Sequence, residues 1–164
     1  MSSSNRRNIF ISHHHADDAS VTQLTNMLKR GGQDFRNSSI RAKPANQRRL
    51  DKGMVKDETI RRLLRRKISW ASTVVVLIGK NTASRNWVNW EIEQANKKGK
   101  RIVGVFEQGG TDADIPPSFE KYGSALVAWN TKSIVSAVTD GEVFFQKPDG
   151  NNRETSTSSR NINC

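Results

Sequence analysis

Only one cysteine, Cys164, occurs in the 164-residue chain, and it is the last residue. A single thiol forms no internal disulfide and builds no thiolate metal site. Long apolar runs are also missing: none approaches the roughly 18 residues that a bilayer span requires. The opening "MSSSNRR" passes directly into the strand-like "NIFIS", without the apolar segment of a secretory signal. A cytoplasmic protein with no membrane contact is therefore expected. Aromatic residues make up 7% of the chain and hydrophobic residues 34%, which supports one modest core. Three familiar site motifs are absent as well. There is no G-x-G-x-x-G, no G-x-x-x-x-G-K-[ST] and no G-x-S-x-G; "IGKNT" pairs Gly79 with Lys80 but lacks the leading glycine. These absences disfavour a Rossmann dehydrogenase, a P-loop enzyme and an α/β-hydrolase.

Positive charge is what the chain has in excess. The formal net charge is +11. Eleven cations fall between Arg41 and Lys67, among them Arg61, Arg62, Arg65 and Arg66, against only Asp51, Asp57 and Glu58. Such a stretch attracts polyanions or simply forms a solvated face. It contains no aromatic residue on which a base could stack, so nucleic acid is not the expected partner.

Hydrophobic patterning alternates between strand and helix. "NIFIS" (8–12) reads as a buried strand, and Val21, Leu24 and Leu28 recur on one helical face that "GGQ" from Gly31 terminates. "DFRNSSI" is a weak second strand around Phe35, and residues 41–56 form a long basic connection. A helix follows, expected to turn Ile60, Leu63, Leu64 and Ile68 inward. "STVVVLIG" (72–79) is the clearest strand; its unbroken apolar run implies cover on both faces, as in a parallel sheet. The stretch from Ala83 forms a helix ending near Gly99, "RIVGVF" (101–106) a strand, and "QGGTDADIPPSFEKYG" a loop that has room for one helical turn. "ALVAW" (125–129) is the last strand, and "NTKSIVSAV" a helix capped by Asn130 or Thr131, with Ile134, Val135 and Val138 inward. "EVFF" (142–145) is either an edge strand or a hydrophobic anchor. From Gln146 the chain is polar and rich in Ser, Asn and Thr, which predicts a mobile tail. The expected organisation is an extension over 1–7, one domain over 8–145 and a tail over 146–164. Alternating β and α elements imply a parallel sheet with helices on both faces, and a ligand at the carboxyl ends of its strands.

Two constellations at those ends carry chemistry. "HHHADD" (13–18) combines imidazoles and carboxylates; a single histidine touching a ligand is the simpler reading, and no metal is expected. The other lies in "ASRNWVNWEIEQANKKG". Trp87 and Glu91 are i, i+4 neighbours on a helix and share a face. Val88, Ile92 and Ala95 form the adjoining apolar stripe, which puts Glu91 at its edge, near the loop that follows "VVVLIG". A carboxylate beside an indole at the rim of a binding crevice is a candidate site; an aromatic anchor beside a surface acid is the plainer alternative. Trp90 lies on a different face and reads as packing.

"NIFISHHHADD", "FRNSSI", "STVVVLIGKNTASRNWVNWEIEQANKKGKRIVGVF" and "ALVAW" together resemble a TIR-like domain over roughly residues 5–140. The resemblance is strongest to the ThsB-type TIR-like family of the Thoeris anti-phage system. It implies a flavodoxin-like three-layer α/β/α fold with a five-stranded parallel sheet in the order 2-1-3-4-5. It also implies NAD as substrate rather than bound cofactor. In TIR enzymes a glutamate four residues after a tryptophan is catalytic, and Glu91 after Trp87 matches that pattern. Ser12, His13, His14, Lys80, Arg85 and Trp87 are then the expected substrate contacts, with Lys80 and Arg85 as candidates for the pyrophosphate. Many TIR domains continue the first strand with an aromatic residue, where this chain has His13 and His14. The family further implies a phage component as trigger, self-association, and a separate effector that senses the nucleotide product. The competing expectation is a non-catalytic TIR-like adaptor that acts through protein–protein contacts.

Overall fold

The computed structural model describes residues 7–13, 18–30, 35–37, 57–80, 82–84, 86–139 and 145–152. In chain order the elements are β1 (Arg7–Ser12), α1 (Asp18–Arg30), β2 (Phe35–Asn37), α2 (Asp57–Trp70), β3 (Thr73–Ile78), α3 (Asn86–Lys97), β4 (Arg101–Phe106), α4 (Pro117–Tyr122), β5 (Ala125–Val127) and α5 (Thr131–Thr139). Short 3₁₀ turns at Thr82–Ser84 and Asp112–Asp114 precede α3 and α4. The basic connection over 41–56 lies outside the described residues. No helix among them is long and apolar enough to cross a membrane.

The α/β class with a parallel sheet is the one that the alternation implies. All strand pairs are parallel, and the strands lie side by side as β2-β1-β3-β4-β5. β3 shows why its apolar run is unbroken. Alternate side chains point to opposite faces: Val74, Val76 and Ile78 enter the core beneath α2, α3 and α4, while Val75 and Leu77 enter the core beneath α1 and α5. Every residue of β3 is buried. Gly104 in β4 lets α4 approach closely, since a Cβ there would come within 2.7 Å of Phe119 Cζ.

Several expectations are corrected. Among the described side chains of α2, Leu64 and Ile68 are fully buried, whereas Leu63 is 39% exposed. The helix turns 100° per residue, and with Leu64 and Ile68 (i, i+4) inward the preceding position is carried to the edge of the face. The side chain of Ile60 lies outside the described residues. The expected single turn before the last strand is a six-residue helix, α4, entered at Pro117. Val135 on α5 is partly buried, while Ala137 joins Ile134 and Val138 in the core. Asn130 is the cap: the Ser133 N–H donates to its Oδ1 at 3.0 Å. Residues 146–152, which the sequence places in the tail, form a hydrogen-bonded turn. The Gln146 N–H donates to the Leu126 carbonyl at 2.8 Å, and the Ala128 N–H donates to Gln146 Oε1 at 3.0 Å. Phe145 packs into the core beside β5, so the end of "EVFF" is an anchor on the sheet edge.

Candidate functional site

The strand order changes direction between β1 and β3, and sheets of this kind bind ligands at the carboxyl ends of the strands beside such a switch. β1 ends at Ser12, whose register partner on β3 is Val76. α3 crosses this corner on one face of the sheet, with Val88, Ile92 and Ala95 in the core. That docking turns Glu91 inward. Ser12 Oγ donates a hydrogen bond of 2.6 Å to Glu91 Oε1, and both residues are completely buried. The length is that of a hydroxyl donating to a carboxylate oxygen. An enclosed carboxylate is costly unless hydrogen-bonded, so this donor is part of what lets an acid stand there. The sequence reading put Glu91 at a rim; the structure instead places it wholly inside, because the apolar stripe of α3 is wide enough to take position 91 with it.

His13 follows Ser12 and is also completely buried. Trp87, one turn before Glu91, is half-buried with its ring against the core. Lys80 is exposed in the turn after β3, and no hydrogen bond or ion pair joins it to Ser12 or Glu91 among the described residues. His14 and Arg85 lie outside the described residues. Among the described residues no group of three or more His, Cys, Asp or Glu is placed to hold a metal ion. The structure thus joins Ser12 to Glu91, with His13 next in the chain after Ser12 and Trp87 one helical turn before Glu91; Lys80, in the turn after β3, makes no contact with the carboxylate among the described residues.

A second acid belongs to the same end of the sheet and went unremarked in the sequence. Glu107 directly follows β4. Ser20 Oγ, in the first turn of α1, donates to Glu107 Oε1 at 2.6 Å. Glu107 Oε2 is buried without a hydrogen-bond partner among the described residues and rests over Gly79, where a Cβ would run into it. Gly79 is held in turn by Thr82, whose Oγ1 accepts from the Gly79 N–H at 2.9 Å. The only sequence signal was an acid immediately after a buried strand. Glu107 also borders an open cleft of about 590 Å³ at the ends of β4 and β5, shared with Gly110, Trp129, Asn130, Ser133 and Gln146.

Comparison with known proteins adds the following. The family model "Thoeris protein ThsB, TIR-like domain" matches residues 10–112. No curated protein matches the chain. Among solved structures, a 2-deoxyribosyltransferase from Bacillus psychrosaccharolyticus is similar at 13% identity and a TM-score of 0.47, over 78% of this chain and 90% of that one. The TIR domains of the Roq1 resistosome, which recognises the pathogen effector XopQ, are similar at 17% identity and a TM-score of 0.44, over 96% of this chain and 95% of that one.

Proposed function

The chain belongs to the Thoeris ThsB family of TIR-like domains, and from that premise we propose that it is an anti-phage defence enzyme that cleaves the nicotinamide–ribose bond of NAD. The observation that carries the proposal is the buried Ser12–Glu91 hydrogen bond at the carboxyl ends of β1 and β3. In a sheet read as flavodoxin-like from its order β2-β1-β3-β4-β5, that switch point is where a ligand is expected, which supports this placement.

The chemistry needs one carboxylate. When the C–N bond breaks, its electron pair leaves with the ring nitrogen, and nicotinamide departs neutral from a cationic pyridinium. No acid is needed to protonate the leaving group, unlike in a two-carboxylate glycosidase. The positive charge passes to the ribose, and a fixed carboxylate stabilises it there. Glu91 is assigned that role, and Ser12 the task of holding one of its oxygens so that the charge is already oriented. His13, His14 and Trp87 are assigned to the nicotinamide and ribose, Lys80 and Arg85 to the pyrophosphate. The acceptor that adds at the ribose carbon then loses a proton. Water gives ADP-ribose; a hydroxyl or ring nitrogen of the same molecule gives a cyclic isomer. We assign the product to a separate nucleotide-sensing effector.

Glu91 is completely buried. Substrate reaches the carboxylate only when this corner opens, which is the step that a phage component and self-association would drive. Nicotinamide release from NAD by the parent and by Glu91→Gln tests the assignment.

A further inference from the structure

In the sequence the cations of α2 and the indoles of α3 are far apart; in the fold they share a groove. Trp87 and Trp90 meet edge to face, with ring centroids 5.7 Å apart and planes at 82°. The Arg65 guanidinium lies 5.7 Å from the Trp90 ring centroid. Arg61, one turn earlier on α2, joins Asn86, Trp87 and Trp90 around a groove of about 310 Å³. Both indoles rest partly against the core, which holds their rings in place. Arg65 is occupied by Glu58 at 3.3 Å, whereas exposed Arg61 has no ion-pair partner among the described residues.

This groove shares Trp87 with the contacts assigned to NAD above but does not include the carboxylate. Glu91 is turned inward to Ser12 and fully buried, while Trp90, its neighbour in sequence, faces α2. The basic stretch has no aromatic residue of its own, and α3 supplies the indoles beside it.

We propose that the groove between α2 and α3 is a binding site for a free nucleotide, with the base against the indoles and a phosphate on Arg61. An indole face accepts any base by stacking, and a guanidinium binds a phosphate through paired hydrogen bonds. The volume is at the lower end for small-ligand sites and fits one nucleotide rather than a length of strand. The site goes beyond the NAD chemistry proposed above and assumes no turnover.

The test is titration of the full chain with ADP at low salt, followed by indole fluorescence and calorimetry. Saturable binding is expected, with adenosine and ribose 5-phosphate each at least about 10-fold weaker, because each lacks one of the two contacts. Arg61→Glu should weaken ADP binding at least about 10-fold. Arg62→Glu, an equal charge change on the same helix outside the groove, should change it less than about 3-fold, the scale of a screened surface charge. Glu91→Gln should bind ADP like the parent, which separates this site from the proposed catalytic carboxylate. Equal losses for Arg61→Glu and Arg62→Glu would show a diffuse field and overturn the proposal. So would loss of ADP binding in Glu91→Gln, absence of saturation, or an oligonucleotide that displaces ADP and binds far more tightly than it.

Discussion

Ser12 and Glu91 are 79 positions apart in sequence and share a buried hydrogen bond of 2.6 Å. That one contact ties the end of β1 to α3 across the sheet. Ser12→Ala leaves the carboxylate enclosed without this donor, and the expected loss is about 1–3 kcal/mol of stability. Urea denaturation with an unchanged slope measures it. Unchanged stability would show that the carboxylate does not depend on Ser12.

The Glu107 carboxylate fills the space over Gly79 and accepts from Ser20. A methyl group at Gly79 can be accommodated only if the carboxylate swings away, which breaks that hydrogen bond. Gly79→Ala and Ser20→Ala should each cost about 1 kcal/mol. Because both act on one contact, the double variant should cost clearly less than their sum. Additive thermal or urea data would separate the two residues.

Helix α2 provides a check on register. Leu64 is fully buried and Leu63 is 39% exposed. Leu64→Ala should destabilise by about 2–5 kcal/mol, and Leu63→Ala should stay within about 0.5 kcal/mol of the parent. The reverse ranking would rotate the helix.

Much of this architecture was legible beforehand, and the misses have physical causes. Unbroken apolar runs such as "TVVVLI" announce strands buried on both faces, and Val88, Ile92 and Ala95 mark the docking stripe of α3 by period alone. Leu63 misleads because two adjacent apolar positions do not say which of them lies on the stripe. The turn at 146–152 is polar in composition, and it is held by hydrogen bonds that Gln146 gives to the Leu126 carbonyl and accepts from the Ala128 N–H, which no hydrophobic pattern signals. At the site, i, i+4 spacing placed Glu91 and Trp87 on one face. Its burial and its Ser12 donor depend on how α3 crosses β1, a long-range relationship outside any local window. Glu107 was hidden for the same reason, since its partners come from α1 and β3. His14 and Arg85 lie outside the described residues, and Lys80 stands apart from the carboxylate.

The most direct test is nicotinamide release from NAD by the parent protein and by Glu91→Gln, assayed side by side in extracts of phage-challenged cells that supply trigger and assembly. Glutamine keeps the size of the side chain and an oxygen for the Ser12 hydroxyl but removes the charge. The account predicts a folded variant, with a thermal midpoint near the parent's, that releases nicotinamide at least ~100-fold more slowly. Release by Glu91→Gln at the parent rate would contradict it.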